Sequence, residues 1–204
     1  MKKTWGIAIA AGVLVVAGLS GTASARGGDG VREVRIQDRC DPATFNADPP
    51  VGPGLGPNTC VYGRGTNQRG LTTFGDFFAL VNPVDNGDDH WRFNPDNRDV
   101  KVGEKLTFAV HNEGGEFHTF TLASDPNSGG CIPPIFLGLQ KPPSPECEPT
   151  FVPAPGADPI PVEFTISGVP SGGDLMVEVP TDTAGTVTYM CLIHPWMQTV
   201  VTVS

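Results

Sequence analysis

Apolar residues alternate with polar ones in short runs through the second half of the chain. Six runs show this period-two pattern or are rich in β-branched residues at strand length, namely 100–110, 117–123, 160–166, 175–179, 185–190 and 199–203. The first run carries five apolar residues of one parity, Val100, Val102, Leu106, Phe108 and Val110. A strand with one buried face has this parity. The pattern therefore predicts an all-β fold, a β-sandwich.

One segment between residues 73 and 81 has a different period. Phe74, Phe77, Phe78 and Val81 recur there at helical spacing, which predicts a short helix that packs its phenyl face on the sandwich. The whole chain contains 26 glycines and 21 prolines, which interrupt it too often for long helices.

The first 25 residues are typical of a secretory signal peptide. Lys2 and Lys3 precede an apolar run over 6–19, and Ala23-Ser24-Ala25 supplies a small-residue cleavage site. We expect cleavage near Ala25 and an extracytoplasmic protein, periplasmic or secreted, with an uncleaved N-terminal anchor as the alternative. No later segment is long and apolar enough to predict a membrane span.

The remaining chain divides into an extension and a domain. Residues 91–204 are predicted to form the sandwich domain, interrupted by a Pro- and Gly-rich insertion at 124–159. Residues 26–90 form a loop-rich N-terminal extension with too few apolar residues for a second core. We expect this extension to wrap the sandwich as an appendage.

The chain is acidic, with a formal net charge of −9 that becomes −11 when the two lysines of residues 1–25 are removed. No run of clustered Lys and Arg exists, so nucleic acid is not an expected partner. An acidic surface can steer a basic redox partner, and it also keeps an exported protein soluble.

Five cysteines leave one unpaired after disulfide formation. Cys40 and Cys60 bracket one Pro- and Gly-rich loop, and Cys131 and Cys147 bracket another. Four cysteines allow three connectivities, and we favour the two local disulfides, which leave Cys191 as a free thiol.

The chemistry that this chain can perform is concentrated in residues 189–197. Cys191, His194 and Met197 lie three residues apart there, directly after an alternating strand. Blue-copper sites use one thiolate, two imidazoles and a weak axial thioether, so this segment supplies three of four ligands. His118, on another alternating run, is the best candidate for the fourth ligand, and His111 is its rival.

These residues resemble those of the cupredoxins, the small blue-copper proteins that include plastocyanin and amicyanin. The Cys191-x-x-His194-x-x-Met197 spacing is similar to the short ligand loop of amicyanin-like members, and residues 91–118 are similar to the family's lead-in to its first ligand. The resemblance covers about residues 91 to 204. It implies a Greek-key sandwich with His118 on a strand and the other ligands on the loop between the last two strands. Thr119 or Asn112 is the candidate tie between strand and loop.

The resemblance also implies a function: one type 1 copper ion and single-electron transfer to an unidentified redox protein, by a monomer. In that family the loop histidine reaches solvent within an apolar patch, which here would contain Ile193, Pro195 and Trp196. A module for copper storage, delivery or sensing is the first alternative, and a structural sandwich with an incidental metal is the second. A zinc site is less natural for this donor set.

We do not expect an enzyme. A multicopper centre would need additional paired histidines, and the whole chain has four histidines. The ligand loop holds a single cysteine, whereas a binuclear copper centre needs two. Hydrolase and phosphate-loop motifs are also missing from the sequence.

Overall fold

The computed structural model describes residues 30–47, 60–61, 71–81, 90–132, 135, 138–147, 150–151, 160–161 and 163–204. The predicted signal peptide lies outside these residues. The described strands are β1 Gly30–Gln37, β2 Arg92–Asn94, β3 Asn97–Val100, β4 Leu106–Asn112, β5 His118–Thr119, β6 Thr121–Leu122, β7 Thr150–Phe151, β8 Ile160–Pro161, β9 Gly168–Val169, β10 Asp174–Val179, β11 Gly185–Met190 and β12 Gln198–Val203. The helices are α1 Pro42–Phe45, α2 Phe74–Leu80, α3 Glu163–Ile166 and a 3₁₀ turn at Pro145–Cys147.

Two four-stranded sheets form the body of the protein, as the alternating runs predict. One sheet has the order β10-β4-β1-β2 and the other the order β3-β12-β11-β6. Phe108 of the first sheet lies with its ring centroid 5.7 Å from that of Tyr189 in the second and 5.8 Å from that of Phe120. These buried rings join the two sheets into one all-β sandwich.

The N-terminal extension supplies a strand of the core, which differs from the appendage that we expected. Strand β1 pairs in parallel with β4 over seven residues and antiparallel with β2. Its Val34 and Ile36 are completely buried. The apolar pattern of this strand is interrupted by the charged residues Arg32, Glu33 and Arg35, which hides the strand in the sequence. A sandwich domain that began at residue 91 would lack β1.

Three of the predicted strands are not continuous. The run 117–123 is divided at Phe120 into β5, which pairs with β9, and β6, which pairs with β11. The run 100–110 breaks at a turn that contains Gly103 with a φ of 78°, so that β3 and β4 join different sheets. The predicted strand 160–166 is wrong beyond Pro161, because α3 occupies its second half. The Ser167 backbone N–H donates to the Glu163 carbonyl at 2.8 Å and closes a helical turn. Ile166 is 62% exposed, so the alternation there does not mark a buried face.

The predicted helix over 73–81 is present as α2. Thr73 caps it, because its hydroxyl accepts a hydrogen bond from the Asp76 backbone N–H at 3.1 Å. Phe74 and Phe77 are buried, and their rings pack around Phe45, which is completely buried at the end of α1. Phe74 and Phe77 therefore lie on the sandwich side, as predicted, whereas Phe78 is exposed.

Both local disulfides, Cys40–Cys60 and Cys131–Cys147, are present, and Cys191 is a buried free thiol. Within the described part of the chain, no helix has the length and apolar character that crossing a membrane requires.

The buried ring of Phe45 contacts Phe74, Phe77 and Trp91, with centroids 5.3 to 5.6 Å away. We expect Phe45→Ala to lower the free energy of unfolding by about 3–5 kcal/mol, since it removes a large ring from a closed cluster. Urea unfolding followed by tryptophan fluorescence measures this loss. Phe78→Ala is the matched control, because the Phe78 side chain is 46% exposed. Equal losses in the two variants would contradict a core role for the Phe45 ring.

Candidate metal centre

Three of the predicted ligands converge at one end of the sandwich. The Cys191 Sγ lies 3.7 Å from the Nδ1 atoms of both His118 and His194, and those two Nδ1 atoms are 3.1 Å apart. All three side chains are buried. A metal bonded at about 2.0–2.3 Å to nitrogen and sulfur places its donors at separations of this order. The three side chains can therefore hold one ion.

Different elements bring these donors together. His118 lies on the short strand β5, where it pairs with Val169 of β9. Cys191 and His194 lie in the loop between β11 and β12, which two backbone hydrogen bonds close: Cys191 N–H to the Met197 carbonyl at 3.1 Å and Met197 N–H to the His194 carbonyl at 2.9 Å. Met197, the predicted axial ligand, ends this loop and is completely buried.

Thr119 ties the strand to the ligand loop. Its hydroxyl accepts a hydrogen bond from the Leu192 backbone N–H at 2.7 Å, and its own N–H points to the Cys191 sulfur at 3.5 Å. Asn112 has a different task. Its side-chain amide donates to the carbonyls of Glu116 and Val169, at 2.7 and 2.8 Å, and so fixes the turn that leads into β5.

Both histidines contact a buried carboxylate through the ring nitrogen that faces away from the cluster. The His118 Nε2 lies 2.7 Å from Asp38 Oδ2, and the His194 Nε2 lies 3.3 Å from Glu116 Oε2. A histidine that donates through Nε2 keeps Nδ1 for a metal. Sequence reasoning missed both acids. Glu116 has the same strand parity as His118, which is a usable signal, but Asp38 lies 80 residues from His118 and has none.

The electrostatics of the cluster favour a metal-binding thiolate. Burial alone would raise the pKa of Cys191, but hydrogen bonds from His118 and His194 outweigh it and hold this pKa well below its usual range. For His118, burial opposes the charged form, yet the hydrogen bonds with Asp38 and Cys191 raise the pKa to about 10. The thiolate is the form of cysteine that binds metals.

An aromatic cover, formed by Phe77, Trp91 and Trp196, lies over His194. The centroid of the His194 ring is 4.7 Å from that of Trp91, 5.5 Å from Trp196 and 5.9 Å from Phe77. His194 is only 2% exposed as a result. The expectation that its ring edge reaches solvent is wrong for this chain, because α2 of the extension and Trp91 close that side. Pro195 is buried too, whereas Ile193 and Trp196 are partly exposed.

The other two histidines lie apart from the cluster. His111 is exposed on β4 and its Nδ1 contacts Asp174 of β10. His90 is exposed next to Trp91. The structure therefore places His118, and not its rival His111, beside the ligand loop.

The insertion braces the ligand loop from outside. The Cys131 backbone N–H donates to the Leu192 carbonyl at 2.6 Å, and the Gln198 side-chain amide bridges the carbonyls of Pro126 and Pro195 at 2.7 and 2.9 Å. Gly130 has a φ of +73°, and a Cβ there would meet the Leu192 carbonyl oxygen at 2.3 Å. The insertion therefore packs against the ligand loop so closely that there is no room for a side chain at residue 130.

The donor chemistry fits copper. One thiolate and two imidazoles, with a thioether available from the same loop, form the set that blue-copper sites use. Structural zinc prefers several thiolates or a closed tetrahedral set.

No protein-family model matches the chain, and no curated protein matches it. Similar solved structures include a purple cupredoxin from Nitrosopumilus maritimus, 15% identical over 61% of this chain and 95% of that one, with a TM-score of 0.31. A dithionite-reduced auracyanin from Roseiflexus castenholzii is 16% identical over 55% and 87%, with a TM-score of 0.33. Oxidised plastocyanin from Dryopteris crassirhizoma is 18% identical over 60% and 94%, with a TM-score of 0.30. These values are too low to assign a function to this chain.

The resemblance to the cupredoxins is carried by the chain's own features. These are the two-sheet sandwich and the cluster of His118, Cys191 and His194, with one histidine on a strand and the other donors on the loop between the last two strands.

Gly130 offers a test of the fit between insertion and ligand loop. We expect Gly130→Ala to destabilise the protein and to weaken binding of Cu(I), because the new methyl group collides with the Leu192 carbonyl in the ligand loop. Thermal unfolding and competition with a Cu(I) chelator measure the two effects. Gly172→Ala is the matched control, since Gly172 has a φ of +70° with no heavy atom within 4 Å of an added Cβ. In both variants an alanine with positive φ strains the backbone by about 1 kcal/mol. Only Gly130→Ala is expected to lower the affinity for Cu(I).

Proposed function

We propose that this protein is an exported blue-copper protein that holds one type 1 copper ion at His118, Cys191, His194 and Met197 and transfers single electrons. The observation that carries the proposal is the buried cluster of one thiolate and two imidazoles, with their Nδ1 and Sγ atoms within 4.8 Å of one another. Copper bound there would supply a one-electron couple.

The residues around the cluster support fast electron transfer. Thr119 and the two backbone hydrogen bonds of the ligand loop hold the donors in place without help from the metal. A donor set that suits both Cu(I) and Cu(II) and is held rigidly changes little on oxidation. The free energy of reorganisation is therefore small.

The closed surroundings favour a resident redox copper over storage or delivery. His118 and Cys191 are completely buried and His194 is 2% exposed, so an ion could leave only if the aromatic cover or the ligand loop opened. Among the described residues, the same three donors are closed off from solvent and so from a substrate, which supports an electron carrier over an enzyme. Delivery needs a donor that a second protein can reach, and the three clustered donors offer none.

The compartment and the partner follow from other features of the chain. The two disulfides suit an oxidising, extracytoplasmic compartment, in agreement with the proposed signal peptide. We infer that a redox protein docks at the partly exposed Ile193 and Trp196, because these residues lie in the ligand loop next to His194. Transient redox encounters use small interfaces of this kind.

Cys191→Ser is expected to abolish the thiolate-to-copper charge-transfer band of the oxidised, copper-loaded protein, because serine cannot supply the sulfur bond. The visible spectrum measures this. His111→Ala is the matched control and is expected to keep the band, since His111 lies apart from the cluster. An intense blue colour in Cys191→Ser, or its loss in His111→Ala, would contradict the ligand assignment.

Electron entry near Ile193 can be measured without knowing the partner, by electron self-exchange between Cu(I) and Cu(II) copies in NMR line broadening. We expect Ile193→Glu to slow self-exchange about tenfold, because the introduced carboxylates of the two copies would repel each other. Met176→Glu is the matched control, since Met176 is exposed on β10 of the other sheet. Equal rates in variants with unchanged spectra would place electron entry elsewhere.

A further inference from the structure

Asp38 is the buried acid behind His118, and it comes from the N-terminal extension. It follows β1 directly and its side chain is 0% exposed. Burying a carboxylate away from solvent costs free energy unless its oxygens accept hydrogen bonds. The hydrogen-bond partners of Asp38 therefore indicate its protonation state.

All described partners of the Asp38 carboxylate are hydrogen-bond donors. Its Oδ1 accepts from the Gly115 N–H at 2.7 Å and, more weakly, from the Cys40 N–H at 3.5 Å. Its Oδ2 accepts from the Glu116 N–H at 3.1 Å and faces the His118 Nε2 at 2.7 Å. The backbone amides can only donate, so a protonated Asp38 could donate only to the Nε2 of His118. Three backbone N–H groups already bond the carboxylate, which stabilises its ionised form. We therefore assign the shared proton to the Nε2 of His118, with Asp38 as an ionised acceptor.

This bond sets the direction of the His118 ring. With Nε2 bonded to Asp38, the Nδ1 atom points to the Cys191 sulfur and to the Nδ1 of His194. The negative charge of Asp38 then lies one imidazole ring away from the position of the metal. In a buried site such a charge favours the more positive oxidation state of the ion.

The chain is built to allow this close approach. A Cβ on Gly114 would lie 2.0 Å from Asp38 Oδ2, and one on Gly115 would lie 2.7 Å from the Cys40 sulfur. The disulfide between Cys40 and Cys60 links the segment after Asp38 to residues 60–61. Those residues contact the turn at Gly114 and Gly115, because the Val61 N–H donates to the Gly115 carbonyl at 2.8 Å. Only a turn without side chains fits against the carboxylate.

We propose that Asp38 is a positioning residue of the copper site: it fixes His118 with Nδ1 toward the metal, and its buried charge lowers the reduction potential by favouring Cu(II) over Cu(I). This inference rests on the proposed copper site. It gives the N-terminal extension a direct electrostatic role at the metal.

Asp38→Asn tests the proposal with nearly unchanged shape. We expect the ratio of Cu(II) to Cu(I) affinity to fall about tenfold or more, which raises the potential by about 59 mV for each factor of ten in a one-electron couple. Protein-film voltammetry measures the potential. Asp174→Asn is the matched control, because it removes the same charge from an exposed histidine–carboxylate pair, that of His111. An unchanged or lower potential in Asp38→Asn, or equal shifts in both variants, would overturn the electrostatic role.

The wild-type protein provides a second readout that needs no variant. We expect the metal-free protein to show a downfield, slowly exchanging Nε2 proton of His118 in NMR, and the diamagnetic Cu(I) protein to keep that proton on Nε2. An unprotonated Nε2 would overturn the positioning role even if Asp38→Asn failed to fold. If the protein bound no copper, the proposed function would fail, while the Nε2 proton of the metal-free protein would still decide what Asp38 does.

Discussion

The burial of one negatively charged sulfur is the constraint on which the rest of this structure depends. A thiolate away from water is costly unless positive or polar groups face it. Two imidazoles and the Thr119 N–H face the sulfur of Cys191. The imidazoles are themselves buried, and each contacts a carboxylate, Asp38 or Glu116. Hydrogen-bonded groups thus run outward from the sulfur, and the Asp38 branch ends on the backbone amides of the turn at Gly115 and Glu116.

The same constraint explains the separate origins of the supporting groups. The ligand loop supplies Cys191 and His194 but neither of the carboxyl groups that face the two histidines. Those groups come from the extension and from the turn before β5. The insertion adds hydrogen bonds from the Cys131 N–H to the loop and from the Gln198 side chain to the Pro126 carbonyl. The extension also carries Phe77 of the aromatic cover. The short ligand loop of this protein is therefore contacted by the extension, by the turn before β5 and by the insertion.

Much of the site could be predicted because its signal is local. Cys191, His194 and Met197 lie within seven residues of one another, and α2 is marked by the spacing of its phenylalanines. His118 was found because its run alternates. Strand β1 and Asp38 could not be found in this way: charged neighbours mask the two buried residues of β1, and the bond of Asp38 to His118 spans 80 residues. The strand predicted over 160–166 failed because alternation was taken as burial, whereas Ile166 faces solvent. The burial of His194 could not be predicted from its own segment, because Phe77, which packs on its ring, lies more than a hundred residues earlier in the chain.

Strand β1 pairs in parallel with β4, and Asp38 at its end meets a histidine whose sulfur neighbour lies close to the other end of the chain. The finished site therefore joins residue 38 to residue 194. A chain that stops before residue 191 lacks the thiol and the second imidazole, and a chain without the extension keeps all three donors but lacks the acid that faces His118. The complete site therefore cannot form until synthesis has passed residue 194.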